Sequence, residues 1–168
     1  DINSYLAGAV WETDFKPFIG VRPLNHNGEK KHFPIYRKTD AIPSWTWEGH
    51  EGKKAEIDVF SKGAYAEVFK DGKSIGKKKL REHKAHFLTT YTPGELTVIS
   101  YDAGGKELGR NSLTTAGAED ALTLEVENPV IRADGQSLGY INVLLTDACG
   151  RIKPLLRRKI SCGVIGDR

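Results

Sequence analysis

The chain contains no methionine, and only two of its 168 residues are cysteine. A natural full-length product starts with methionine unless it is processed, so the absence, with Asp1 at the start, leads to the expectation of a processed or excised chain. Two cysteines, Cys149 in a turn-like stretch and Cys162 in a strand-like one, make no disulfide framework, and neither a bridge nor a metal site is expected from them. No apolar run approaches the ~20 residues that a membrane-spanning helix needs, and no signal-peptide pattern is visible at the start. Disorder is excluded by the 39% hydrophobic and 28% charged content. The net charge is only +3. Its one concentration, Lys70, Lys73, Lys77, Lys78, Lys79, Arg81 and Lys84, lacks the interleaved aromatic residues that stack on nucleic-acid bases. The run therefore reads as a solvated hairpin, where lysine also discourages pairing between sheet edges. Neither nucleic acid nor membrane is expected as a partner.

What the chain has is turn signals between short alternating segments. Residues 42–49, Ile-Pro-Ser-Trp-Thr-Trp-Glu-Gly, stand before the regular part. Trp45 and Trp47 are two apart, so on an extended strand both would point to one face. After them, residues 55–60, 64–69, 73–80, 85–91, 95–101 and 106–115 read as strands. In the first, Ile57 and Val59 would share one face; in the most regular, 95–101, Leu96, Val98 and Ser100 face one way. Asp71-Gly72 is a tight-turn signal because glycine takes positive φ at little cost. Strands at this spacing predict an antiparallel sandwich. Ahead of them, residues 4–11 carry a partial helical period broken by Pro17, residues 18–22 read as a strand, and residues 24–41 as a long loop.

A small, polar stretch at residues 115–120 reads as a linker. A second β-unit follows, with strands at 121–127 and 140–146, a turn at Asp134-Gly135, and a last partial strand at 160–165. The 48 residues after Asp120 are about half of a ~100-residue sandwich. The expected organisation is residues 1–16 as a linker, 17–117 as an antiparallel β-sandwich, and 118–168 as a partial second one.

Chemistry-bearing patterns are few. Glu48 and Glu51 flank Gly49, but two acids in a surface turn are turn acids first. His83 and His86 are three apart, which on a strand puts them on opposite faces, a poor metal arrangement. The turns at 102–105 and 147–150 lack the acid density of a calcium loop. No catalytic residue, metal site or cofactor is expected. Trp11, Trp45 and Trp47 are the candidate contact residues. Two readings stand for the pair in the loop: exposed rings that stack on sugars, or large apolar side chains that fill a core or a seam between domains. Trp11 is expected to anchor the first segment against a neighbouring domain.

Several of these segments, in this order, resemble the region after the catalytic barrel of bacterial β-galactosidases of glycoside hydrolase family 2. They are residues 42–53, the Glu-Val-Phe-Lys-Asp-Gly-Lys-Ser-Ile-Gly of 67–76, Leu-Thr-Val-Ile-Ser-Tyr-Asp at 96–102, and Gly-Arg-Asn-Ser-Leu-Thr-Thr-Ala-Gly at 109–117. The resemblance spans about residues 17–150. It implies an immunoglobulin-like domain followed by another that begins near residues 131–138, in a parent enzyme that hydrolyses terminal β-galactosides with retention. Two barrel glutamates ~5–5.5 Å apart perform that reaction. No glutamate here matches them. The resemblance thus implies a non-catalytic scaffold module whose partners are the barrel and other domains of the same polypeptide. A carbohydrate-binding module or a surface adhesin-type domain are the alternatives. A bacterial source is implied, with cytoplasmic and envelope or secreted locations both open.

Overall fold

The computed structural model describes residues 16–26, 29 and 39–163, and within them nearly all regular structure is antiparallel β-sheet. Among the described residues nine strands form: β1 (Phe18–Val21), β2 (Lys54–Phe60), β3 (Tyr65–Lys70), β4 (Lys73–Lys79), β5 (Lys84–Thr90), β6 (Glu95–Tyr101), β7 (Glu107–Thr114), β8 (Ala121–Val126) and β9 (Ile141–Thr146). A 3-10 turn, Leu24–His26, follows β1. The first seven strands make two sheets, ordered β1-β2-β5 and β4-β3-β6-β7, and β8 pairs only with β9.

Alternation decides which side chains face inward. Along β2, Ala55, Ile57 and Val59 are fully buried while Glu56 and Asp58 are only partly so. Along β6 the buried positions are Leu96, Val98 and Ser100, as the period-two reading requires. These rows meet Ile19 and Val21 of β1, Ala66 and Val68 of β3, and Ala85 and Phe87 of β5 in one core between the sheets. The architecture is the antiparallel β-sandwich expected from the sequence.

The position of β4 follows from its turn. In the immunoglobulin constant arrangement the fourth strand lies with the first, second and fifth. Here Asp71 (φ 49) and Gly72 (φ 76) form a two-residue connection with both central residues left-handed, and Lys70 pairs with Lys73 across it. That geometry matches the twist of a hairpin and holds β4 on β3. The sheets therefore carry three and four strands.

The structure corrects the sequence reading at two places. His83 belongs to a turn, not a strand: Glu82 (φ 49) and His83 (φ 63) form a second left-handed pair, closed by a bridge between Arg81 and Lys84. Neither residue is glycine, so no turn signal marked the site. The strand expected at 160–165 is not present over residues 160–163, which include Cys162, and the remainder lies outside the described residues. The returning chain does start to pair with β9, through a bridge between Thr146 and Ile152 and the bond from the Lys153 amide to the Leu145 carbonyl at 2.9 Å. The Lys153 carbonyl then accepts the Leu156 amide at 3.1 Å in a turn, and the ladder stops. The helical turn at 4–11, with Trp11, and most of the loop at 24–41 lie outside the described residues.

Candidate functional site

Trp45 and Trp47 belong to residues 43–47, which lie outside any ladder and begin in a bend at Pro43. The segment is pinned at its start by two backbone bonds between Val21 and Ile42, 2.8 and 2.9 Å long. It then closes the end of the sandwich where β5 and β7 finish and β2 and β6 begin. Both tryptophans expose no surface and belong to the main core. The Trp45 ring meets Tyr91 edge-on, with centroids 5.1 Å apart, and its Nε1–H donates to the Thr92 carbonyl at 3.2 Å. Trp47 donates Nε1–H to the Ser44 carbonyl at 3.3 Å and its backbone N–H to the Tyr91 hydroxyl at 3.0 Å. Each ring thus keeps its one polar atom satisfied while the rest is dry. A sugar platform needs an exposed ring face, and neither ring offers one.

The residues between and beside the tryptophans hold the second β-unit. The Ser44 hydroxyl donates to the Ile152 carbonyl at 3.0 Å, the Ala116 amide donates to the Thr46 hydroxyl at 2.9 Å, and the Thr115 hydroxyl donates to the Trp45 carbonyl at 2.8 Å. On the other side stands Asp147, a 3% exposed residue. Its carboxylate accepts the amides of Gly117 (2.8 Å), Cys149 (2.9 Å) and Arg151 (2.8 Å), and pairs with the Arg151 guanidinium at 3.3 Å. The Gly117 amide, first of all, holds its pKa below the ordinary 3.8, against the desolvation that would raise it. Lys153 sends its ammonium to the carbonyls of Ala118 and Glu119 and to Asp120 at 2.7 Å, and Arg158 also pairs with Asp120. Lys153, ahead of Arg158, lowers the Asp120 pKa. The linker at 115–120 is therefore fastened from both sides. It is a seam.

Two shallow clefts flank it. One, of about 430 Å³, lies among Thr46, Glu48, Lys153 and residues 155–158. The other, of about 270 Å³, lies among residues 43–45, 112–114 and 150–152, yet Trp45 presents no surface to it.

The seam makes a measurable prediction. Asp147→Ala should raise amide exchange in β8 and β9 about tenfold, through loss of charge-assisted bonds, while β2 and β5 keep their protection. The effect depends on pH in a fixed direction. A carboxylate whose native pKa is lowered contributes stability above its unfolded pKa and loses it as pH falls through the native value. The Tm gap between the unmodified chain and Asp147→Ala should hold at about pH 5 and close towards about pH 2.

The other candidate residues are not brought together. Glu48 and Glu51 form the expected exposed turn, with the Gly49 amide donating to Glu51 at 3.3 Å. His86 pairs with Asp58 at 3.0 Å, and Asp58 also meets Lys84 (3.0 Å) and Thr39 (3.1 Å). Burial works to raise the Asp58 pKa, but these partners, His86 foremost, bring it below 3.8. In the Lys-rich hairpin, Lys77 sits 3.8 Å from the centre of the Tyr101 ring. Cys149 and Cys162 are both free and exposed. Among the described residues no group of three or more histidine, cysteine or acidic side chains could hold a metal ion, and no helix is long and apolar enough to cross a membrane. Sequence reasoning did not find Asp147 and Lys153. The only signal for Asp147 was the turn at 147–150, and Lys153 had none.

A protein-family model described as a domain of unknown function, DUF4982, matches residues 52–109, which hold β2 to β6 and the start of β7. No curated protein matches the chain. Among solved structures, a glycosyl hydrolase family 2 member from Bacteroides cellulosilyticus DSM 14838 is 30% identical over 90% of this chain and 20% of its own, with a TM-score of 0.68. A β-glycosidase from Bacteroides vulgatus is 20% identical over 92% of this chain and 17% of its own, with a TM-score of 0.61. A β-glucuronidase from glycoside hydrolase family 2 is 21% identical over 90% and 14%, with a TM-score of 0.59. The last two likenesses are of fold alone. The chain spans a fifth or less of the length of each of these structures. It is a small β-sandwich region similar in sequence and fold to one part of family 2 glycoside hydrolases.

Proposed function

We propose that the chain is a non-catalytic module of a longer family 2 glycoside hydrolase, in which it packs on the catalytic barrel as a scaffold and sets the orientation of the domains beside it. The observation that carries this reading is the seam. The tryptophans that would have made a sugar platform are spent as the buried end-plug of one β-unit, and the polar residues around them clamp a second unit. A device of that kind fixes geometry between domains. The likeness to part of a far longer family 2 enzyme, at 30% identity, supports the same reading. The motifs at residues 42–53 and 67–76 favour a β-galactosidase as the parent, since they are the segments that resemble that group.

The pure chain should not hydrolyse a chromogenic β-galactoside or β-glucuronide, and measurable turnover would overturn the proposal. Tryptophan emission should also stay unchanged when galactose or a β-galactoside is added to millimolar levels. A saturable change would restore the carbohydrate-binding alternative.

A further inference from the structure

The outer face of the four-stranded sheet is more aromatic than a wall turned to water requires. Ala66, Val68, Leu96, Val98 and Ser100 point into the core, so the alternate residues of the two central strands point out. They include Tyr65 opposite Tyr101, Glu67 opposite Ile99, and Phe69 opposite Thr97, each only partly buried. A solvated face of an antiparallel sheet ordinarily alternates to polar residues. Beside this strip, β4 sets Lys79 opposite Tyr65 and Lys77 opposite Glu67, and both lysines are exposed. The facing charges of Lys77 and Glu67 do not pair. Glu67 instead accepts the Ser74 hydroxyl at 2.7 Å and the Tyr101 hydroxyl at 3.2 Å. The Lys77 ammonium lies 3.8 Å from the centre of the Tyr101 ring and 5.9 Å from that of Tyr65. Among the described residues neither Lys77 nor Lys79 forms an ion pair with a carboxylate.

We infer that this face, at Tyr65, Lys77, Lys79 and Tyr101, binds a carboxylate-bearing polysaccharide. The inference adds a ligand to the scaffold reading and does not rest on it. A pyranose ring turns a C–H face to an aromatic side chain and carries hydroxyls at its edge. Tyr65 and Tyr101 offer the contact, and Glu67, already fixed by two hydroxyls, is an acceptor for a third. A carboxylate on the sugar supplies the anion that the two lysines lack. The face is flat, without the walls that enclose a small ligand, and from β4 to β6 it runs ~10 Å, which suits a chain of sugar rings. Two other occupants fit less well. Single-stranded nucleic acid needs a positive groove along its phosphates, and Glu67, with Glu107 opposite Tyr101, interrupts the positive charge. A dry protein interface excludes charge from its centre, where Glu67 and Lys77 stand. Trp45 and Trp47 take no part, since both are buried in the core.

The test is affinity electrophoresis of the chain in gels holding polygalacturonate, neutral galactan or neither, with isothermal titration for the affinities. Polygalacturonate should retard the chain and galactan should not. Binding should weaken between about 0.01 M and about 0.15 M salt, where the Debye length falls from ~30 to ~8 Å. Lys77→Gln and Tyr65→Ala should each weaken it about fivefold or more. Lys53→Gln removes the same charge from an exposed position ahead of β2, in the other sheet, and should change nothing. Should Tyr65→Ala fail to fold, amide NMR of the unmodified chain serves instead, and shifts caused by polygalacturonate should cluster in β3, β4 and β6. Four outcomes would overturn the inference: no retardation by polygalacturonate at low salt, equal losses from Lys53→Gln and Lys77→Gln, tighter binding of single-stranded DNA than of polygalacturonate, or a dimer of the chain that Tyr65→Ala abolishes. None of them bears on the absence of hydrolytic activity, so this reading and the previous one fail separately.

Discussion

Trp45→Ala is expected to cost ~3–5 kcal/mol of stability, the range for removing a large aromatic side chain from a packed core. Domains of this size are stable by only ~5–15 kcal/mol, so the substitution would take a large share of what holds the fold. The reason is local. The ring exposes no surface, meets Tyr91 edge-on and gives its N–H to Thr92. It also stands where β5, β6 and β7 would otherwise leave the core open to water. Urea titration should show a lower midpoint with little change in slope. Trp45→Phe should lose less, since much of the ring contact survives while the bond to the Thr92 carbonyl does not. A sugar-binding role predicts the reverse, stability retained and galactoside affinity lost. A loss below ~1 kcal/mol for Trp45→Ala would place the ring outside the core and contradict the structure.

Most of the sandwich was legible because its signals are local. Alternation along residues 55–60 and 95–101 fixes which side chains point inward, and Asp71-Gly72 fixes a hairpin. The sheet to which β4 belongs was not stated by that alternation, yet it follows from the same turn once both φ values are known to be positive. The turn at Glu82 and His83 was hidden because left-handed residues without glycine or asparagine leave no mark in composition. The tryptophan loop shows a different limit. Spacing two apart would give the rings a common side on a strand, but the segment forms none, and exposure depends on what the rest of the chain brings to the rings. Here it brings Tyr91 and the linker at residues 115–117, which are 44 to 72 positions away from the tryptophans they meet or flank. The clamp was least legible of all. Asp147 is read from sequence as a turn acid, and it is one, since it accepts from Cys149 and Arg151. Its bond to Gly117, 30 positions earlier, is what turns a local cap into a joint between two β-units.

Tyr91→Phe isolates the other half of the end-plug. Tyr91 is fully buried, and its main chain continues the ladder of β2 with β5 through bonds with Gly52 and Lys53 at 2.9 and 2.8 Å. Its hydroxyl accepts the Trp47 backbone N–H at 3.0 Å. Phenylalanine keeps the ring and leaves almost no void, so packing should be retained. What it removes is the acceptor of a donor sealed away from water. An unsatisfied buried N–H costs ~1–3 kcal/mol, and that is the loss expected in thermal or urea unfolding. Coupling separates this effect from ring packing. Phenylalanine preserves the edge-on contact with Trp45, so the Trp45→Ala and Tyr91→Phe losses should add to within ~0.5 kcal/mol. Tyr91→Ala also destroys the ring contact, and its loss should fall short of additivity with Trp45→Ala by ~0.5–1.5 kcal/mol, the worth of an aromatic pair. If Tyr91→Phe were neutral while Tyr91→Ala kept its coupling to Trp45, the loop would be held by its rings alone and the hydroxyl would have no part in closing this end of the sandwich.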